Sequence, residues 1–427
     1  MIQKVQKIQK VQKTQKVQKE QKVQKEQRVQ REQKNDFPIS FGSSVSSGSF
    51  ATSDSYATSG SSVTSATSGS TSSQKTIVVA MSGGVDSSVA AALLKERGYR
   101  VIGVMLRLWS EAGNERENSC CTLEAMHDAR QIAAQLDIPF YAIDAQEVFH
   151  DLVVNYFING YTNNLTPNPC LVCNRRIRWR FMYERARALG GDFMATGHYA
   201  RLREEDNGNI QLLTALDPRK DQSYVLHVLS QEELRHTLFP LGDYTKTEVR
   251  TLARDFNLPV AERPDSQDLC FVGNGDYRDF LRRYAPQVEN PGPILSTQGD
   301  QLGEHSGLAF YTIGQRKGLG IFAPNPLYVL RKDSAQNALI VGTKAELGQD
   351  QLTSQNMNWI AGIAPRQPFR TEVKIRYKSP RVEGTVTPLG AERAHVKFDA
   401  SIQDITPGQA AVFYSGELCL GGGIIEL

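Results

Sequence analysis

From Lys75 onward the chain alternates between two hydrophobic rhythms. Thr76–Ala80 is a short unbroken apolar run, the mark of a strand buried on both faces. Residues 88–97 follow with helical spacing, and residues 100–106 return to a strand pattern. Ala125, Ala129, Ile132, Ala133 and Leu136 recur at the spacing of one helix face, which predicts a helix over residues 124–136. The same logic predicts a strand at 140–143, helices at 147–159 and 174–189, and a strand at 192–196. Strand and helix in alternation predict an α/β domain, a parallel sheet covered by helices on both faces. Ligands of such sheets bind at the carboxyl ends of the strands.

After about Asp276 the rhythm changes. Pro291, Gly292, Pro293, Gly299, Gly303 and Gly307 break up any helix, and "GLAFYTIGQRKGLGI" reads as part of a small β module. From about Ala345, short alternating segments at 372–377, 383–388, 394–398, 410–414 and 423–427 predict an antiparallel barrel. The expected organisation is an arm and linker over 1–74, the α/β domain over 75–275, a central β-rich module over 276–344 and a C-terminal barrel over 345–427.

The arm obeys neither rhythm. Residues 2–34 repeat a Gln-Lys-X triplet, whose 300° advance on a helix spreads Lys and Val around the axis without a stripe. Residues 39–74 are mostly Ser, Thr, Gly and Ala, a linker composition. The arm carries eleven Lys and Arg against three Glu, so the net +3 of the 427-residue chain leaves −5 on residues 35–427. A disordered arm is the expectation. Two functional readings stand beside it: non-specific attraction to nucleic acid, and an organellar presequence, against which the regular Gln repeat and the Glu residues speak. Otherwise the expected location is cytoplasmic. No apolar run of membrane-spanning length exists.

Cysteines stand at 120, 121, 170, 173, 270 and 419, too few and scattered for a disulfide scaffold, and fit a reducing compartment. Adjacent Cys120 and Cys121 diverge on a helix and read as structural, as does Cys419.

The densest chemical signal is "SGGVDSS", residues 82–88, at the end of the first strand. Gly83 and Gly84 let backbone N–H groups crowd toward an anion, and a helix starting there adds its positive end. Ser82, Ser87 and Ser88 supply hydroxyls. Asp86 suits a helix cap or a metal ion bridging phosphates. The lysine of the Walker loop is absent. The stretch resembles the pyrophosphate loop of the ATP pyrophosphatase family, whose members split ATP between the α and β phosphates and adenylate an oxygen.

"TPNPCLVCNRRIRWRF" (166–181), "ATGHYAR" (195–201), "RKDQSYVL" (219–226), "SQDLCF" (266–271) and "YTIGQRKGLGI" (311–321) narrow that choice. With the loop, in this order, they closely resemble the tRNA-specific 2-thiouridylase family from about Lys75 to the C-terminus. The resemblance implies a parallel-sheet ATP pyrophosphatase domain, a central module and a C-terminal barrel that embraces tRNA. It implies ATP with Mg²⁺, bound by Ala80, Met81, Ser82, Gly83, Gly84, Val85, Asp86, Ser87, Leu106 and Gly197. It puts Cys173 in the nucleophile position and a persulfide on Cys270, with a transient disulfide between them. Asn168, Pro169 and Cys170 would meet the target base, and Lys220, Asp221, Gln222, Arg376 and Tyr377 the tRNA. Sulfur would come from a donor-protein relay or a cysteine desulfurase.

The chemistry is coherent. Replacing a carbonyl oxygen by sulfur needs a better leaving group than oxide, and adenylation of uracil O2 supplies it. A persulfide is then a soft nucleophile of low pKa, and a second thiol releases its sulfur.

Cys170 departs from the family pattern, which often has Asp there. Cys170, Cys173 and Cys270 together offer three thiolates, the ligand set for a [4Fe-4S] cluster with one open iron. The cluster is the alternative carrier of sulfide. Two further alternatives are an ammonia-using adenylating synthetase on the same loop and a catalytically silent tRNA-binding protein. His198 lacks a positioned partner in the sequence and reads as structural. Arg175, Arg176, Arg178, Arg180, Arg185 and Arg187, interleaved with Trp179, Phe181 and Tyr183, read as an RNA-facing helix. Arg176 and Arg180 would share one face of it, and Ile177 and Phe181 another.

Overall fold

A computed structural model describes residues 74–111, 122–264, 269–272 and 275–426. The arm to residue 73, Cys120, Cys121 and residues 266–268 of "SQDLCF" lie outside the described residues.

The apolar runs become strands β1 (Thr76–Ala80), β2 (Arg100–Arg107), β3 (Phe140–Asp144) and β4 (Phe193–Ala195). A hairpin, β5 (Arg201–Glu204) and β6 (Ile210–Leu213), precedes the short β7 (Thr237–Leu238). The sheet runs β3-β2-β1-β4-β7, with every pairing parallel. Strand order reverses between β1 and β4, which is where a doubly wound sheet opens a crevice. Period-two alternation feeds two cores. Ile77 and Val79 pack with helices α1 (Val85–Glu96) and α2 (Leu123–Gln135) on one face, and Val78 packs with Trp179 and Met182 on the other. Thr122 caps α2 by accepting the Ala125 N–H at 2.9 Å.

The helices between β3 and β4 differ from expectation. The helix expected over 147–159 runs as α over Gln146–Phe149, as π over His150–Val154, and as α again over Asn155–Thr162. The one expected over 174–189 opens earlier, at Pro169–Val172, passes through a π stretch at Cys173–Met182 and ends as α at Tyr183–Ala188. Asn168 sets that start: its side chain accepts the Cys170 N–H at 3.2 Å, and Pro169 occupies the first turn without needing a donor. The wider π turn shifts the faces. Trp179 is buried, its indole N–H donating to Thr237 Oγ1 at 2.7 Å, so it is not displayed among the arginines. Ile177 is buried while Phe181 is only half-buried and carries the Arg185 guanidinium 3.4 Å from its ring centre. The expected pairing of faces at a spacing of four does not hold through this stretch.

The central module is a four-stranded sheet of β8 (Gly292–Leu295), β9 (Gln301–His305), β10 (Tyr328–Asp333) and β11 (Ala338–Gly342), ordered β10-β11-β8-β9. Its apolar face has no core of its own. Ile294, Val329, Leu339 and Val341 join Phe149, Phe157, Cys173, Ile177 and Phe271 in one cluster. Lys332 lies opposite Leu339 on that face. Its Nζ is buried without a hydrogen-bond partner, and burial pushes its pKa down to about 7.

The C-terminal segments form β12 (Gln349–Trp359), β13 (Phe369–Lys374), β14 (Val382–Pro388), β15 (Arg393–Ile402), β16 (Ala410–Ser415) and β17 (Leu418–Ile425). They pair antiparallel in the order β12-β15-β14-β13-β16-β17, and β12 meets β17 again to close a six-stranded barrel. The first two residues of β17 also pair with β6, Leu418 with Leu213 and Cys419 with Leu212, joining barrel to α/β domain. No described helix is long and apolar enough to cross a membrane.

Candidate active site

The cradle begins where β1 ends. Met81 N–H donates to Val104 O at 2.8 Å, extending the sheet by one residue before the turn. Gly83 sits at φ +72°, and a Cβ there would lie 2.3 Å from the Ala125 carbonyl oxygen, so no side chain fits against α2. Gly84 is the N-cap of α1 and makes no side-chain cap bond, which leaves the expected capping role of Asp86 unfilled. Ser87 and Ser88 turn their hydroxyls inward, donating to Gly84 O at 3.2 and 2.8 Å. They brace the loop from within. Ser87 Oγ also accepts the Ser82 N–H at 3.1 Å. Ala80 and Val85 frame the turn, Ala80 half-buried and Val85 buried.

Asp86 lies in the first helical turn and is half-exposed. Its Oδ1 accepts from Tyr199 OH and from Lys246 Nζ, each at 2.7 Å. Lys246 comes from the first residue of helix Lys246–Asp255, held there by a Thr245–Glu248 capping box. Arg263 clasps the cradle from another side, Nη1 donating to Gly83 O at 3.0 Å and to Asp128 Oδ2 at 2.6 Å. Sequence reasoning missed Lys246, Tyr199 and Arg263. The capping-box pattern "TKTE" was the available signal for Lys246: it marks a helix start, and a lysine buried there calls for an anionic partner.

The facing wall follows β4. A Cβ on Gly197 would lie 2.7 Å from Ser87 N, so only glycine permits this approach to the helix end. His198 beside it is buried. The Arg178 guanidinium, 2.8 Å from Nε2, has only protons to give, so Nε2 accepts and Nδ1–H donates to Thr196 Oγ1 at 2.8 Å. Burial, with the Arg178 charge beside it, holds this imidazole well below its usual pKa. His198 is therefore neutral and held on both nitrogens, and Arg178 is turned inward rather than toward RNA.

Leu106, near the end of β2, is half-buried and touches two clusters, one of them the cluster shared with the central module. Cys173 is a buried member of that shared cluster, and half-buried Cys270 packs against it. The two distant thiols therefore border one apolar wall that Leu106 links to the strand beside the cradle. Cys170 is exposed. Burial, followed by Asp221 and Cys170, pushes the Tyr377 phenol up, and its ring lies 6.1 Å from that of Tyr224. Arg376 is partly buried, donating from Nη2 to Ile313 O at 2.9 Å and to Thr406 Oγ1. Gln409 Nε2 donates to Thr166 O at 2.8 Å, tying the barrel to the stretch just before Asn168.

Lys220, Asp221 and Gln222 are more inward than expected. Lys220 is half-buried. Asp221 is buried and accepts from Ala215 N at 3.1 Å and from Ser223 Oγ at 2.8 Å. Gln222 Oε1 accepts the Tyr199 N–H at 2.9 Å, linking this turn to the Asp86 network.

The residues do not fit the iron–sulfur alternative. Among the described residues no group of three His, Cys, Asp or Glu side chains comes together to hold a metal, although Cys170, Cys173 and Cys270 are all described.

An anion cradle at the switch point of a parallel sheet, walled by a glycine, defines the class of protein that grips a phosphate group at the end of its strands. Family models described as the tRNA methyl transferase HUP domain, the tRNA methyl transferase PRC-barrel domain and the aminomethyltransferase beta-barrel domain match residues 75–274, 278–343 and 349–425. The tRNA-specific 2-thiouridylase MnmA of Moorella thermoacetica is 50% identical over 352 residues, covering 82% of this chain and 99% of the relative. The tRNA-specific 2-thiouridylase MnmA of Natranaerobius thermophilus is 48% identical, covering 82% and 96%. The chain belongs to the tRNA-specific 2-thiouridylase family.

Proposed function

We propose that this chain uses ATP to replace O2 of the tRNA wobble uridine by sulfur. The observation that carries the reading is the placement of Cys173 and Cys270 on one apolar wall, with Leu106 joining that wall to the strand beside the cradle.

In this reading ATP lies along Ala80, Met81, Ser82, Gly83, Gly84, Val85, Asp86 and Ser87, with Leu106 against the adenine and Gly197 closing the far side. Backbone N–H groups at the start of α1 take the departing diphosphate. Asp86 is the cradle carboxylate that suits Mg²⁺, an ion that supplies charge neutralisation on phosphate oxygens. Asn168, Pro169 and Cys170 receive the flipped-out base, and Lys220, Asp221, Gln222, Arg376 and Tyr377 lie along the tRNA.

O2 of uracil attacks the α-phosphorus and pyrophosphate leaves. The terminal sulfur of a Cys270 persulfide attacks C2, and AMP leaves with the original oxygen. The Cys173 thiolate then attacks Cys270 Sγ. The S–S bond to the transferred sulfur breaks, its electron pair forms the thiocarbonyl, and a Cys173–Cys270 disulfide remains for an external thiol to reduce. A sulfur-donor relay or a cysteine desulfurase, in the cytoplasm, would recharge Cys270.

The test is thiolation of uridine-wobble tRNA with ATP and a sulfide source, read by nucleoside mass spectrometry. The unaltered chain should form 2-thiouridine. Cys173→Ser and Cys270→Ser should form none while keeping ATP binding. Thiolation surviving in Cys270→Ser would remove the persulfide step. Adenylation without any 2-thiouridine would favour the ammonia-using synthetase, and tRNA binding without pyrophosphate exchange would favour a silent binder.

A further inference from the structure

The chain between Thr312 and Tyr328 leaves the central module and returns at the same place. Gly314 N–H donates to Val329 O at 2.8 Å and Val329 N–H to Gln315 O at 3.0 Å, fastening the two ends together as in an Ω-loop. The Gln315 side chain accepts the Thr312 N–H at 3.1 Å and donates to Lys317 O at 3.0 Å. Leu319 is buried in the shared cluster and anchors the loop from within. The conformation is therefore built, not merely tolerated.

What this loop shows outward is unusual. Phe322 is 99% exposed, and Arg316 and Lys317 are exposed near it. No Asp or Glu occurs from Thr312 to Tyr328. A fully exposed phenyl ring buries no area on folding, and here it shares one fastened loop with two exposed cations. The loop's own sequence offers cations and no carboxylate, the Asp404 carboxylate standing at its base against Gly314; exposed cations suit a polyanion, and an uncovered aromatic face suits an unpaired base.

The base of the loop is tied to two other parts of the chain. Arg376, from the barrel segment, donates to Ile313 O at 2.9 Å. Thr312 shares a hydrogen bond with Tyr277, whose ring lies 4.9 Å from that of Tyr161, a member of the cluster that holds Cys173. The base of the loop is thus fastened both to the barrel segment and to the cluster that holds Cys173.

We propose that the loop spanning residues 315–328 is a second RNA contact, in which Phe322 stacks on an unpaired tRNA base and Arg316 and Lys317 meet phosphates; this rests on tRNA being the substrate. Phe322→Ala and the double variant Arg316→Ala/Lys317→Ala, both in the full chain, test it, because these exposed side chains support no core. The dissociation constant for uridine-wobble tRNA is measured across a salt series, with ATP affinity as control. Phe322→Ala should weaken tRNA binding about 5- to 100-fold with an unchanged salt slope, and Phe322→Trp should restore it. The double variant should flatten the logarithmic salt slope by about 1–2. ATP affinity should stay put in all three. If the unaltered chain binds tRNA and Phe322→Ala binds it equally well, the contact is overturned, whether or not capture of a protein partner falls. If the unaltered chain binds no tRNA, the proposed function falls and this contact with it.

Discussion

Gly197 stands against the start of α1 so closely that a Cβ on it would lie 2.7 Å from Ser87 N and 2.8 Å from the backbone carbon of Asp86. Gly197→Ala must therefore push the helix end away from the wall that follows β4. The expected result is at least a tenfold rise in KM for ATP, with about 1–3 kcal/mol of lost stability from overpacking. Steady-state kinetics and a thermal melt measure the two effects separately, and an unchanged KM would refute the close-approach argument.

Lys246 places Nζ 2.7 Å from Asp86 Oδ1, with only a small part of its side chain exposed. Lys246→Met keeps most of the stem but leaves the carboxylate without that countercharge. A stability loss of about 1–3 kcal/mol is expected for a half-buried charge losing a partner. Pyrophosphate exchange should fall at least tenfold, because Asp86 then has only the neutral Tyr199 hydroxyl to hold it on the cradle. Lys246→Arg should recover part of the exchange rate. Exchange at the normal rate in Lys246→Met would make the pair purely structural.

The pH response of stability has a definite sign. His227 is buried, donates from Nδ1 to Tyr224 O at 2.7 Å, and burial pushes its pKa down to about 4. The unfolded chain accepts that proton near pH 6.5 and the folded chain does not. Stability is therefore full above about pH 6.5 and falls toward pH 4, by up to about 1.4 kcal/mol per pH unit. The buried His198 acts in the same direction. Urea midpoints at pH 7.5 and pH 5 should differ, and His227→Asn should reduce the difference; an identical pH dependence in that variant would contradict the assignment.

Lys332 gives the opposite kind of opportunity. Its amine is buried without a partner and its pKa is held down to about 7. The unfolded chain keeps the proton up to about pH 10.4, so the amine destabilises the fold increasingly as pH falls from there toward 7. Lys332→Met should raise stability at neutral pH by about 1–3 kcal/mol, and by less near pH 10. Chemical denaturation at the two pH values checks this, and a destabilised variant at pH 7 would show that the amine finds a partner in solution.

Much of the fold could be read from local pattern. The runs at Thr76–Ala80 and 100–106 and the helix at 124–136 came within a residue or two because each buries a face whose period the chain displays. The π stretch at Cys173–Met182 was not legible, since the spacing of its apolar residues also suits an α-helix and the wider turn depends on what packs around it. The hairpin strands Arg201–Glu204 and Ile210–Leu213 were missed for a related reason: "RLRE" has no strand signature, and its neighbour finds a partner about two hundred residues away in β17. Strand Gln349–Trp359 is mostly polar and gains its order from pairing on two sides. At the site, glycines and cysteines announce themselves by type. Arg263 and Tyr199 do not, because an arginine or tyrosine that reaches a loop more than a hundred residues away looks like any other.

The pairing of β17 with β6 imposes an order on the making of this protein. Leu212 and Leu213 are made about two hundred residues before their neighbours Cys419 and Leu418. A nascent chain must hold that apolar edge uncovered until those two residues emerge. A product that stops short of Leu418 would carry a sticky seam where the edge should be sealed, a ready mark for proteolytic disposal.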